Sequence, residues 1–230
     1  MREYTEFMTL VDVPPARHLL PASMNSVRRI LSIAGCGLPA AALGDPAVAA
    51  CVRAQGVAVA VCGGEELDLA RAAGIRPIHV VLRCDRVSDT IRRAAALGVV
   101  RFVASTDRHI DVLTECPQPT KHVYLDDRGP AVLGEHRLDV VGIHCDIDDS
   151  AGAAEWGAAT ERVLCRVALL RSCGSNPTRI SLAGGAASRW LGGRTGELRA
   201  IASAVDDALD EGCARWRMPR PAVMLAPLRP

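Results

Sequence analysis

Lysine is all but absent from this chain. Of 27 basic residues one is a lysine, Lys121, and the rest are arginine. Chemistry that runs through a lysine amine therefore has a single candidate. Aromatic residues make up only 3%. Charge of one sign is not in excess: 27 basic and 26 acidic residues give a net charge of +1. With no basic stripe and no acidic tail, neither a nucleic acid nor an anionic membrane is expected as a partner. Apolar runs are broken well short of the ~18 residues a membrane helix needs. The first residues, MREYTEFMTL, lack the basic-then-apolar pattern of a secretory signal, so the expected setting is cytoplasmic. No CxxC pair occurs among the nine cysteines. Their odd number and scatter predict reduced, mostly buried thiols rather than disulfides or a zinc site.

What is there is a beat of short apolar runs alternating with helical patterns. The first 35 residues are less regular, with Asn25 placed to cap one helix through Arg28, Arg29, Ile30 and Ile33. From Cys36 onward, strands are expected at 36–43, 57–62, 78–82, 99–104, 122–125, around 140–143, at 179–182 and at 222–225. Helices are expected at 46–56, 65–73, 89–97 (capped by Ser88), 107–113, 151–172 and 197–216. Between Leu125 and Asp139 there is no room for loop, full helix and loop. The pattern predicts an α/β fold in one domain over 36–230: a (β/α)8 TIM-type barrel, complete or with the helix between strands five and six shortened. That shortening is expected to bare apolar wall between the two strands, a surface for docking. An open doubly wound sheet is the alternative, but no GxGxxG or GxxxxGK[ST] follows any strand.

Several motifs then resemble, in order and spacing, the barrel of the pyridoxal-phosphate (PLP) decarboxylases of diaminopimelate, ornithine and arginine. Gly56–Ile75, GVAVAVCGGEELDLARAAGI, is similar to that family's second strand–helix unit, and 88–100 and 102–113 to the next two. VGIHCDIDDS (141–150) resembles G-L-H-x-H-I-G-S, ISLAGG (180–185) resembles L-D-L-G-G-G, and LAPLR (225–229) resembles E-P-G-R. The resemblance implies the barrel fold and an ancestral cofactor site, but the positions that carry the chemistry differ. The lysine that holds the aldehyde as a Schiff base falls on Ala41. Lys121 precedes strand five and is expected at the opposite mouth. The ring-stacking histidine falls on Asp146, the phosphate-binding Gly-Ser on Asp148-Asp149, and the pyridine partner on Ala226. Of the phosphate-facing glycines, Gly184 and Gly185 remain while the first is Ala183; Arg229 is kept. The β-domain that follows the barrel in the family is expected to be missing. The expectation is a non-catalytic homologue that binds no PLP covalently, has no catalytic residues and needs no cofactor. Its expected partner is a protein, either a second copy of itself or a full-length relative.

Two further readings start from strand ends at the same mouth, the first an enzyme with altered, metal-dependent chemistry. His144, Asp146 and Asp148 share one side of a strand and can converge on a divalent metal, with Asp126 as an added ligand; equally, the acids can cap the helix that follows. Gly184, Gly185 and Arg229, with Ser188, Arg189 and Arg194 nearby, can retain an anion, or the glycines can simply make a tight turn. Glu66 reads either as a family position or as first-turn helix charge. Cys62, Cys84 and Cys145 end strands and read as buried structural thiols. Cys145 and His144 are adjacent in a strand and so face opposite ways. Trp156, Trp190 and Trp216 read as helix-packing residues, too dispersed to stack.

Overall fold

Short β-branched runs with both faces apolar suit a parallel sheet buried on both sides, and all eight close on themselves. In the computed structural model, which describes residues 29, 34–117, 120–132, 138–148, 152–187, 190 and 195–228, eight parallel strands form a closed barrel in sequence order. They are β1 (Ala34–Pro39), β2 (Ala58–Val61), β3 (Val80–Arg83), β4 (Arg101–Ala104), β5 (His122–Asp126), β6 (Asp139–Ile147), β7 (Arg179–Gly184) and β8 (Ala222–Ala226). Closure is made by β1 against β8, with Cys36 opposite Leu225. The helices are α1 (Pro46–Gln55), α2 (Gly64–Ala72), α3 (Ser88–Ala96), α4 (Asp107–Glu115), α5 (Ala153–Ser172) and α6 (Thr195–Trp216). No helix among the described residues is long and apolar enough to cross a membrane.

Local chemistry sets the helix starts. The Asp45 carboxylate accepts from the Ala47 amide at 2.7 Å, with Pro46 in the first turn of α1. The Thr106 hydroxyl caps α4 by accepting from the His109 amide. Two expectations fail here. Ser88 is the first residue of α3 rather than its cap, because the preceding turn is closed by Asp85, whose carboxylate accepts from the Val87 amide. The first strand ends at Pro39 rather than 43; the alanine-rich Ala40–Gly44 coils into a 3₁₀ turn, as residues of low β-propensity do. Of the expected N-terminal helix only Arg29 is described, in helical conformation; Asn25, Arg28, Ile30 and Ile33 lie outside the described residues.

Two cores result. The larger lies between barrel and helices and includes Leu38, Leu82, Phe102, Leu125, Ile143, Leu164 and Leu209. The smaller fills the barrel itself, where Val81, Val103 and Tyr124 meet Val141 and Met224, the layered interior expected of such a fold.

The connection from β5 to β6 holds no helix among its described residues, 127–132. The expected bare wall is nevertheless covered: Val123, Leu125, Ile143 and Cys145 are all buried. Val132 packs onto the core, and Arg166 of α5 donates to the Asp127 carbonyl at 3.0 Å and to the Gly129 carbonyl. A guanidinium bonded to two loop carbonyls holds the short connection down where a helix would otherwise lie. Leu169 of α5 is exposed, but a single exposed leucine needs no partner.

Candidate functional site

Barrel enzymes build their sites at the C-terminal ends of the strands, and the strand ends here carry a polar chain across the lumen. Ser181 Oγ on β7 is 3.0 Å from His144 Nδ1 on β6. His144 Nε2 is in turn 3.0 Å from Asp146 Oδ1, and the other Asp146 oxygen accepts from the Arg83 guanidinium on β3. His144 and Ser181 are buried, while Arg83 and Asp146 are half-buried. Burial pushes the Asp146 carboxyl up, but the hydrogen bond and charge of His144, then those of Arg83, outweigh it and hold it below its ordinary value.

This chain has the order of a nucleophile–base–acid relay, yet Ser181 lies at 2% exposure. The cavity above it, bounded by Pro39, Ala60, Arg83, His144, Ser181 and Ala226, measures about 60 Å³. Ordinary ligand pockets run to about 300–1,000 Å³. The four side chains satisfy one another and plug the lumen.

The expected metal ligands separate. His144 and Asp146 bond directly to each other, while Asp148 lies exposed past the strand end. Asp126 accepts from the Arg128 amide at 3.0 Å. No group of three His, Cys, Asp or Glu able to hold a metal occurs among the described residues. The alternative, that the acids cap the next helix, also fails for Asp146, whose oxygens are taken inside the barrel. Gly152 stands at the start of α5 without any side-chain cap; Asp149 lies outside the described residues.

At the glycine turn, a Cβ on Gly184 would stand 2.8 Å from Trp156 Cζ2. That glycine makes room for the buried Trp156, which packs against Trp190 with ring centroids 5.8 Å apart. Trp156 Nε1 is buried with no acceptor among the described residues. Gly185 adopts a left-handed φ of 67°, and its carbonyl accepts from the Leu228 amide at 2.9 Å. Arg229, Ser188, Arg189 and Arg194 lie outside the described residues. The two rings are tilted by 51° to each other, a packing contact rather than a stack. Trp216 is exposed rather than packed on the barrel.

No cysteine among the described residues forms a disulfide, and only Cys116 and Cys145 are buried. Cys62 is exposed, at the rim where β2 ends, and Cys84 is half-buried, so the expected burial holds for Cys145 alone of the strand-end three. Cys145 faces away from the lumen, with Sγ 3.2 Å from Asp127 Oδ2. Glu66 reaches back from α2 to accept from the Cys62 amide at 2.7 Å, which ties helix to strand end.

Pyridoxal phosphate does not fit these residues. Ala41, at the Schiff-base position, is an exposed residue of the 3₁₀ turn. Lys121 precedes β5 at the far mouth, buried, its Nζ donating to the Cys116 carbonyl at 2.8 Å. Ala226 offers no carboxylate, and Asp146 with its Arg83 partner occupies the lumen where a ring would stack.

The class of fold is shared with decarboxylases of basic amino acids. The arginine decarboxylase of Paramecium bursaria Chlorella virus, solved bound to agmatine, superposes at a TM-score of 0.73 with 13% identity, over 92% of this chain and 62% of that one. Ornithine decarboxylase from Entamoeba histolytica gives 0.71 at 11% identity, over 92% and 63%. A lysine/ornithine decarboxylase from Vibrio vulnificus, complexed with putrescine, gives 0.72 at 12%, over 92% and 61%. In sequence the chain is similar to a diaminopimelate decarboxylase from Actinosynnema pretiosum subsp. auranticum, 28% identical over 211 residues, covering 76% of this chain. It spans 47% of the length of that relative. No family model matches the chain. It is a decarboxylase-like (β/α)8 barrel with a diaminopimelate decarboxylase homologue.

Sequence reasoning did not single out Arg83 or Ser181. Arg83 had a signal: a charge closing the apolar run Val80–Leu82 at a strand's C-terminal end. Ser181 had none, being one small polar residue inside an apolar strand.

Proposed function

We propose that this barrel is a non-catalytic homologue of the PLP-dependent decarboxylases that acts by binding a protein, either a second copy of itself or a full-length decarboxylase relative. One observation carries the first half: the Schiff-base position is Ala41, and the chain's one lysine is buried at the other end of the barrel with its amine bonded to a carbonyl. Without a lysine at the mouth there is no amine to hold an aldehyde. The Arg83–Asp146 pair supports the same reading, since it fills the space above His144. Nine cysteines with no disulfide among the described residues support a reducing, cytoplasmic setting. The partner half draws on the resemblance, in which the active site is shared across a dimer and the β-domain after the barrel supplies part of it. The test is purified protein mixed with PLP and reduced with borohydride, followed by native mass spectrometry alone and with full-length diaminopimelate decarboxylase. No pyridoxyl-lysine and a defined homo- or hetero-complex are expected. A pyridoxyl group on Lys121 would sink the non-catalytic reading, and monomers in both samples would sink the partner.

One observation favours a second reading, non-covalent capture of PLP or another phosphate by Gly184, Gly185 and Arg229. Trp156, whose Cζ2 abuts Gly184, has a buried Nε1 with no acceptor among the described residues, and an unmet buried donor is costly. A thermal-shift titration with PLP decides it: a saturable rise supports it, and a flat curve ends it.

A further inference from the structure

We propose that the N-terminal mouth of the barrel, opposite the strand ends described above, is a binding site for a small dicarboxylate. A cavity of about 360 Å³ opens there, within the range of ordinary ligand pockets. Its walls are the first residues of four consecutive strands: Arg101, His122, Asp139 and Arg179. Arg101, His122 and Asp139 lie in one register row. β7 enters higher, with Arg179 opposite Gly142. The approach depends on that glycine, since a Cβ there would stand 2.2 Å from the Arg179 carbonyl oxygen. Tyr124 and Val141 line the cavity between the charged residues.

The charge balance sets the ligand. His122 Nδ1 is 2.9 Å from Asp139 Oδ2, so the one carboxylate of the cavity already has a neighbour. Arg101 and Arg179 make no ion pair or side-chain hydrogen bond with any described residue. Elsewhere Arg83, Arg92, Arg93, Arg162, Arg215 and Arg220 each meet a carboxylate. Two guanidiniums thus line one polar cavity with their forks unused, and a fork of this kind matches a carboxylate two bonds at a time. They stand on β4 and β7, three strand spacings apart at roughly 4.8 Å each along the wall. They therefore enter the cavity from different strands of its wall. Two separated carboxylates meet that arrangement, one per guanidinium, with the connecting carbons over Val141; a single compact phosphate can satisfy only one of them fully.

The test is isothermal titration calorimetry of the intact chain with glutarate, acetate and inorganic phosphate. One glutarate per chain is expected, bound at least about tenfold more tightly than acetate, since the second carboxylate adds its own charge-assisted bonds. Arg101→Gln and Arg179→Gln are each expected to bring glutarate affinity down to the acetate level, and Arg101→Lys to retain part of it. No heat with glutarate overturns the site. So does glutarate binding no tighter than acetate, phosphate binding where glutarate does not, or unchanged glutarate affinity in both glutamine variants. The comparison of glutarate with acetate needs no variant, so a misfolded mutant leaves the outcome decidable.

Discussion

Arg83 and Asp146 stand 63 residues apart in the chain and pair across the mouth of the barrel, one from β3 and the other from β6. The carboxylate is shared with His144, so a single acid ties two strands and a buried imidazole together. Removing it leaves Arg83 and His144 without their acceptor. Asp146→Ala is expected to cost about 1–2 kcal/mol, less than the cost of breaking a fully buried pair because the mouth is open to solvent. Arg83→Met in the same background should restore part of it. Urea unfolding of the two single variants and the double variant measures this, and additive losses would deny the coupling.

The same pair makes stability depend on pH in the acid range. The folded state holds the Asp146 carboxyl below its ordinary value of 3.8, so the unfolded chain binds the proton more readily. The pair's contribution is therefore complete above about pH 4–5 and is lost as pH falls through the depressed folded value. Wild type should lose more stability than Asp146→Asn between pH 5 and 3, values set by the ordinary carboxylate range of about 4. Parallel curves for the two proteins would show that Asp146 is not the group responsible.

Restoring the amine alone should not restore chemistry. Ala41→Lys places a lysine on the exposed 3₁₀ turn, but leaves Ala226 and the Arg83–Asp146 plug in place. Added PLP is expected to give surface-type, weakly held adducts and no carbon dioxide release from diaminopimelate, ornithine or arginine. Release above the wild-type background would mean that the mouth is more open than its cavity of about 60 Å³.

Two glycines hold the β6–β7 half of the barrel together by their lack of a side chain. At Gly142 an added methyl meets backbone, the Arg179 carbonyl at 2.2 Å; at Gly184 it meets the Trp156 ring at 2.8 Å. Gly142→Ala is expected to cost about 3 kcal/mol or more and Gly184→Ala about 1–3 kcal/mol, since backbone yields less readily than a ring. Gly184→Ala should also change the tryptophan emission, while Gly142→Ala should not. Denaturation curves and fluorescence spectra give both readouts.

The thiols should sort by position. Burial, then the Asp127 carboxylate, push the Cys145 thiol up to about 12, and little thiolate exists at neutral pH. Native-state alkylation followed by mass spectrometry is expected to label Cys62, Cys165 and Cys173 first and to leave Cys145 untouched until urea is added. Early labelling of Cys145 would contradict the packing around it.

Much of the fold was legible because barrel strands carry a local signature. Apolar runs buried on both faces, the helical spacing of apolar residues between them, and the short β5–β6 connection all depend on neighbouring residues. Errors arose where local signals compete. Ala40–Gly44 is apolar enough to read as strand and alanine-rich enough to coil, and Ser88 caps nothing because Asp85 reached the turn first. The bare wall expected beside β5 failed for a different reason: the covering contact comes from Arg166, a residue 39 positions from the Asp127 carbonyl it holds.

By itself the sequence determined the beat of strands and helices, the likeness to a decarboxylase barrel, and the absence of a lysine where Schiff-base chemistry needs one. These are properties of residue identity and local order, and no packing alters them. Only the tertiary structure decided that Asp146 meets Arg83 rather than a metal partner on its own strand. It also decided that Gly184 yields its space to Trp156, and that four strand starts enclose a cavity whose two guanidiniums pair with no described residue. Each of those pairings joins residues brought together by the closure and register of the barrel. Which side chains meet across a closed sheet follows from the stagger of all eight strands together, and no single stretch of sequence carries that information.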